Sequence, residues 1–162
     1  MPSGKLPLHE RALRLLAVRQ RTRRELSARL VRAGFEPDDV AAELDRLEEV
    51  GLVDDERFAA EFVEHALDRR LEGRRAVVAG LTAKGVERRL IERALGDAAD
   101  GEGDRLDRLA EARARRLVTL PPETAHRRLV SFLVRRGHEP SAARAAAGRA
   151  LRPDADASSE TG

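Results

Sequence analysis

The stretch Gly51-Leu52-Val53-Asp54-Asp55-Glu56-Arg57-Phe58-Ala59 decides how this chain folds. It ends one helix, turns, and opens the next. Glycine lets the backbone leave a helix through the left-handed region, so Gly51 marks a stop. Asp54 stands at an N-cap position, where its carboxylate meets the free N–H groups of the following turn. Val53 and Phe58 flank that cap at the spacing of a hydrophobic staple. Reading Asp54-Asp55 as a metal or acid–base pair would leave these flanking residues unexplained.

Outward from this junction the same punctuation recurs. Leu30-x-x-x-Gly34-Phe35 precedes it, Leu81-x-x-Lys84-Gly85-Val86 follows, and Leu133-x-x-x-Gly137-His138 is a third copy. The three glycines are 51 and then 52 residues apart. A fixed period of that size indicates an array of like units. Between the turns, apolar residues recur at helical spacing. They are Leu8, Ala12, Leu15 and Leu16; Leu26 and Leu30; Val40, Leu44 and Leu47; Phe58, Phe62 and Ala66. Further on come Val77, Val78 and Leu81; Ile91, Ala94 and Leu95; Leu106, Ala110 and Leu117; Leu129, Phe132 and Leu133. No segment alternates with period two. The expected fold is all-α, with nine main helices in three tandem three-helix repeats at 8–51, 52–96 and 105–151. Residues 97–104 read as a flexible acidic linker and 152–162 as a disordered tail.

Local chemistry supports this division. Thr22-x-x-Glu25 is a capping box that opens the second helix. Pro37 suits the first position of the third, and Asp38 and Asp39 favour its positive end. Gly80 weakens the fifth helix unless it is packed. The ninth is mostly alanine, which buries little apolar area, so the third repeat is expected to be the least stable.

Composition narrows the function. Charged residues make up 37% of the chain and aromatic residues 2%. The absence of cysteine excludes disulfides and thiolate metal sites. No apolar run follows Met1-Pro-Ser-Gly-Lys5, and no stretch approaches the roughly 18 apolar residues of a membrane span. The expectation is a cytoplasmic protein with no membrane contact. His9, His65, His126 and His138 lack metal-ligand spacing and read as surface or loop residues. Ser27 and Ser131 have no triad partners, and Gly101-Glu-Gly103 belongs to the linker, with no phosphate-loop pattern after it. The carboxylates read as exposed helix-face charges. No enzyme, metal or cofactor is expected.

The charge is unevenly spread. Residues 11–32 carry a local charge of +7, 36–56 of −9, 69–93 of +5 and 113–136 of +6. Such blocks suit a surface facing a polyanion and a separate acidic surface, with solvated helix faces as the plain alternative. The chain lacks Tyr and Trp and has four Phe, all near expected core or turn positions, so DNA contact would be electrostatic rather than stacked. A helix-turn-helix DNA regulator is the competing reading. Against it, the helix after Gly34 carries Glu36, Asp38, Asp39, Glu43, Asp45, Glu48 and Glu49, which phosphates repel.

At these motifs the sequence resembles the RecX family of recombinase regulators, over about residues 10–95 and less clearly to 151. Ala12-Leu13 through Ala17-x-Arg19 with Thr22-x-x-Glu25-Leu26 is similar to the family's opening repeat. The Gly51–Ala59 stretch is similar to its central junction, and Leu81-x-x-Lys84-Gly85-Val86 to the middle turn of its second repeat. The family's usual Arg before the apolar residue of the fifth helix is Ala76 here, and its usual Glu before Leu81 is Gly80. The linker resembles an insertion. The resemblance implies an elongated, curved array and a partner, the RecA recombinase, chiefly as its filament on single-stranded DNA. It implies groove binding that opposes filament extension and dampens ATPase, strand-exchange and co-protease activity in DNA repair and the SOS response. Weak non-specific DNA binding and a monomeric state are also expected. The middle repeat is basic and central, so its Arg70, Arg74, Arg75, Lys84, Arg88 and Arg89 are the leading contact candidates. Arg19, Arg23 and Arg24 are further ones. Asp54, Asp55, Phe58, Gly34, Gly85 and Gly137 are expected to be structural.

Overall fold

Each repeated glycine leaves its helix through the same turn. A computed structural model of the chain describes residues 7–152. In it Gly34, Gly85 and Gly137 have φ of 96°, 77° and 93°. The N–H after each glycine bonds the carbonyl of the repeated leucine, Leu30, Leu81 or Leu133, at 3.1–3.3 Å. The glycine N–H bonds the next carbonyl, of Val31, Thr82 or Val134, at 2.9–3.0 Å. This double bond pattern is the Schellman motif, and it satisfies carbonyls that a helix end otherwise leaves free. Gly51 repeats it, with Leu52 N–H bonded to the Leu47 carbonyl at 2.9 Å. Leu30, Leu81 and Leu133 are all fully buried.

Nine α-helices result among the described residues: α1 Leu8–Val18, α2 Arg23–Arg32, α3 Pro37–Glu49, α4 Asp55–Glu64 and α5 Arg74–Ala83. Then follow α6 Arg88–Asp97, α7 Glu102–Ala114, α8 Pro122–Arg135 and α9 Pro140–Ala150. No strand occurs among the described residues. The fourth helix does not run on as an ordinary α-helix through Ala66, the last residue of its stripe. After Glu64 it widens into a π-turn, His65–Arg69, in which Arg70 N–H reaches the His65 carbonyl at 3.2 Å. Leu71 follows at φ 50°, a left-handed backbone unusual for a residue with a side chain.

The chain forms two compact units. The first holds the described residues up to Val63 together with Ala79–Asp97. Its α1–α3 share a core of Ala12, Leu26, Leu30, Val40, Leu44, Leu47 and Val53. The second holds Glu64–Val78 and the described residues from Ala98 onward. There α7, α8 and α9 pack around Leu106, Ala110, Leu129 and Leu133. The alanines of α9 are not idle: Ala143, Ala146 and Ala147 are fully buried, and their small side chains let the three helices approach closely. Both α4 and α5 therefore contribute residues to each unit.

The linker is shorter and better held than its composition implies. α7 begins at Glu102, so Glu102, Gly103 and Asp104 are helical. Two acids in a first turn are favoured by the positive helix end. Arg105, whose side chain is only 12% exposed, donates to the Asp100 and Ala98 carbonyls at 2.9 and 3.0 Å and to Asp68 at 3.4 Å. A half-buried guanidinium thus satisfies carbonyls of a segment read from composition as free. The tail expected at 152–162 lies, beyond Arg152, outside the described residues.

Three further expectations are corrected. His138, expected at the surface, is 3% exposed, because it occupies the turn position that Phe35 and Val86 hold in the other copies. Its Nε2 donates to the Leu71 carbonyl at 3.0 Å, so that buried ring nitrogen is satisfied. Glu43, expected on an exposed face, is 4% exposed and meets His9 and Arg46. Its place between Val40 and Leu47 on the apolar stripe of α3 explains the burial. Val78, read as part of a core stripe, is 37% exposed, whereas Val77 and Leu81 on the same helix are fully buried.

Candidate partner interface

In the first unit the N-terminus of α2 is the most densely bonded point. Thr22 and Glu25 complete the capping box: Thr22 Oγ1 accepts from Glu25 N–H at 3.2 Å, and Glu25 accepts from Thr22 N–H at 3.3 Å. The same hydroxyl donates to the Lys84 carbonyl at 2.6 Å. Lys84 Nζ returns to the Glu25 carboxylate at 3.1 Å, and Arg19 reaches it at 3.3 Å. Lys84 also lies 5.9 Å from the centre of the Phe58 ring, a cation–π contact. Burial pushes the Glu25 carboxyl up, but bonds from Arg19, Lys84 and the Thr22 N–H outweigh it and hold the group below its ordinary value.

The paired acids of the central junction divide their work. Asp54 accepts from Arg57 N–H at 3.0 Å and so caps α4. Asp55 accepts from Arg23 N–H at 2.9 Å, capping α2 from across the chain. Burial raises the Asp55 carboxyl above its ordinary value against that N–H, and the nearby Glu48 charge adds to the rise. Phe58 packs on Phe62, ring centres 6.3 Å apart. A Cβ at Gly80 would come within 2.8 Å of the Phe62 ring, so this glycine makes room for an aromatic side chain.

The candidate contact residues fall into two groups. In the first unit nearly all are already paired. Arg23 donates to Asp45 at 2.8 Å and Glu48 at 2.7 Å, so the first basic block meets the acidic third helix. These bonds outweigh burial and raise its pKa. Arg88 bonds Glu92 at 2.8 Å, and Arg89 bonds Glu87 at 2.7 Å. The Arg24 stem fills the space a Cβ at Gly85 would need. In the second unit Arg70 faces Glu72 at 3.3 Å. Arg74 and Arg75, in the first turn of α5, are exposed and have no carboxylate partner among the described residues. Their backbone is fixed, since Gly73 N–H bonds the Arg136 carbonyl at 2.8 Å and Arg75 N–H the Gly137 carbonyl at 3.1 Å. A Cβ at Gly73 would collide with the Gly137 backbone.

Arg21 escaped the reading of the sequence. It is 6% exposed, its Nε donates to the Leu15 carbonyl at 3.3 Å, and its Nη1 has no partner. Burial, with Arg19 and Arg29 nearby, lowers its pKa. Nothing local marks it, for it lies inside a run of arginines.

Residues 9–47 match the family model described as RecX, first three-helix domain, and residues 54–95 match RecX, second three-helix domain. The chain belongs to the RecX family. Among RecX relatives, the "Regulatory protein RecX" of Mycobacterium sp. (strain JLS) is 42% identical over 148 residues, covering 88% of this chain and 80% of the relative. That of Mycobacterium tuberculosis (strain ATCC 25177 / H37Ra) is 42% identical over 132 residues, covering 78% and 75%. The crystal structure of RecX from Lactobacillus salivarius superposes with a TM-score of 0.78 at 20% identity, over 88% of this chain and 94% of that one. A second RecX crystal structure gives 0.76 at 23% identity. These structures share the RecX fold. The first RecX domain model ends at Leu47 and the second begins at Asp54, on either side of the Gly51–Val53 turn. No helix among the described residues is long and apolar enough to cross a membrane.

Proposed function

We propose that this chain is a non-catalytic regulator that binds RecA, chiefly as its filament on single-stranded DNA. On this reading it lowers recombinase, ATPase and co-protease activity in DNA repair and the SOS response. It acts in the cytoplasm as a monomer, without metal or cofactor. Membership of the RecX family across both three-helix domains is the observation that carries this reading.

The physical features agree with a binding role. A helical array offers an extended surface rather than a catalytic cleft. The contact is assigned first to Arg74 and Arg75, exposed on a fixed backbone and in no ion pair among the described residues, with Glu139 the one carboxylate whose charge Arg75 feels and Arg70 beside them in sequence. Lys84 remains a candidate, but its bonds to Glu25 and the Phe58 ring give it structural work, so its removal tests two things at once. Arg19, Arg23, Arg24, Arg88 and Arg89 would need to exchange internal contacts for the partner. A helix-turn-helix regulator gains nothing from the geometry: Asp38, Asp39, Asp45 and Glu48 of α3 are exposed.

The test is co-sedimentation with RecA filaments on single-stranded DNA. The wild-type chain should pellet with the filaments, and R74A/R75A should pellet less while keeping its helical circular dichroism. No association of the wild-type chain would refute the proposal. Equal association of the folded double variant would move the contact elsewhere.

A further inference from the structure

The turn that closes α8 does more in the third copy than its counterparts do in the other two. After the repeated glycine the first copy places Phe35 and the second Val86, both apolar, so the turn itself needs no polar side chain there. The third places His138, which is 3% exposed and whose Nε2 donates to the Leu71 carbonyl at 3.0 Å. Leu71, at φ 50°, is the one left-handed residue other than glycine among the described residues. A backbone of that kind costs energy and persists only where its surroundings hold it. The same turn takes two more bonds from the segment that follows. Gly73 N–H donates to the Arg136 carbonyl at 2.8 Å, and Arg75 N–H to the Gly137 carbonyl at 3.1 Å. The approach is close from both sides: a Cβ at Gly73 would collide with the Gly137 backbone, and one at Gly137 with Ala76. All these residues belong to the second unit.

We propose that His138 is a positioning residue for the partner contact. With the Arg136 and Gly137 carbonyls it clamps Leu71–Arg75 to the α8–α9 turn, so that Arg74 and Arg75 meet the partner from one fixed backbone; this rests on the reading of those two arginines as the RecA contact. An arginine on a loose segment loses backbone freedom when it binds. One on a clamped segment has lost that freedom already, so less of the contact is spent on ordering. His138 touches no partner on this account and acts through Leu71. The plain alternative is that His138 only fills its turn, as Phe35 and Val86 do in theirs. The two readings part over the ring nitrogen: filling makes it dispensable, and clamping does not.

The test compares H138F, which fills the turn as Phe35 does but has no donor, with H138Q, whose side-chain amide N–H can still reach the Leu71 carbonyl. Residue-resolved amide hydrogen exchange of the full chain, with no RecA present, reads the clamp. In H138F the Gly73 and Arg75 N–H groups should exchange at least about fivefold faster, because a buried carbonyl has lost its donor. The Leu129 and Leu133 N–H groups inside α8 should keep their wild-type rates, and H138Q should exchange as the wild type does. Co-sedimentation with RecA filaments on single-stranded DNA then reads the positioning. H138F should pellet less while keeping its helical circular dichroism, and H138Q should pellet as the wild type does. If H138F does not fold, H138V, which copies Val86, takes its place with the same expected results. Unchanged exchange at Gly73 and Arg75 in the folded variant would overturn the clamp. Faster exchange with undiminished pelleting would overturn its role in the contact. A wild-type chain that does not pellet would refute the RecA reading and the positioning with it, while the exchange rates still decide the clamp.

Discussion

At the scale of single residues, the two acids of the central junction differ in a way that can be measured. Asp54 bonds the Arg57 N–H as an N-cap. Asn caps as well as Asp, so Asp54→Asn should leave stability nearly unchanged, whereas Asp54→Ala should cost about 0.5–2 kcal/mol in urea unfolding. An Asn variant as unstable as the Ala variant would show that the charge, rather than the cap, matters. Glu25 gives a pH test. Its folded-state pKa is lowered, so its stabilising contribution is present above the ordinary glutamate value of about 4.3 and is lost as pH falls through the lowered folded value. Asp55 has the opposite sign. Its raised pKa means that ionisation costs stability, and the cost disappears as pH falls through the raised value. The stability gap between wild type and Glu25→Gln should therefore be widest near neutral pH and close on acidification. A gap that is constant with pH would mean the Glu25 carboxylate contributes through packing instead of charge.

At the scale of elements, the turns were legible and the long-range bonds were not. Gly34, Gly51, Gly85 and Gly137 could be placed because a helix stop depends on the backbone of one residue, and Thr22–Glu25 because a capping box spans four. Asp55 reaching α2 and His138 bonding Leu71 join distant segments, and no local pattern marks them; Arg105 holds Ala98 and Asp100 only a few residues away, yet in a segment whose composition reads as free. The signal for Glu43 was present: it falls on the Val40–Leu47 stripe, but its charge directed the reading outward. Charge blocks were equally visible, yet sequence could not tell Arg23, which is paired twice, from Arg74, which is not paired. Gly73 supplies the test of how α5 is seated. Gly73→Ala forces a Cβ into the Gly137 backbone, and overpacking of this kind should lower stability by about 1–3 kcal/mol. Gly80→Ala should fail to deliver the usual helix-propensity gain of up to about 1 kcal/mol, because the added methyl meets Phe62. In a Phe62→Leu background the gain should return, which thermal unfolding of the four-protein cycle would read directly.

At the scale of the whole molecule, the period of the glycines and the division into compact units are two different things. The period follows the turns, which repeat three times. The units follow packing, and the helices between Asp55 and Ala83 supply residues to both. On the proposed function, the contact follows the exposed charge that no ion pair holds, Arg74 and Arg75 toward RecA. The central claim is that this member of the RecX family restrains RecA. Its most direct test is the DNA-dependent ATPase of RecA measured with increasing, substoichiometric amounts of the chain. The account predicts that hydrolysis falls well before one chain is present per RecA monomer, because opposing extension at one point affects the filament beyond it. ATP hydrolysis that stays at its starting rate even with the chain in excess would contradict it.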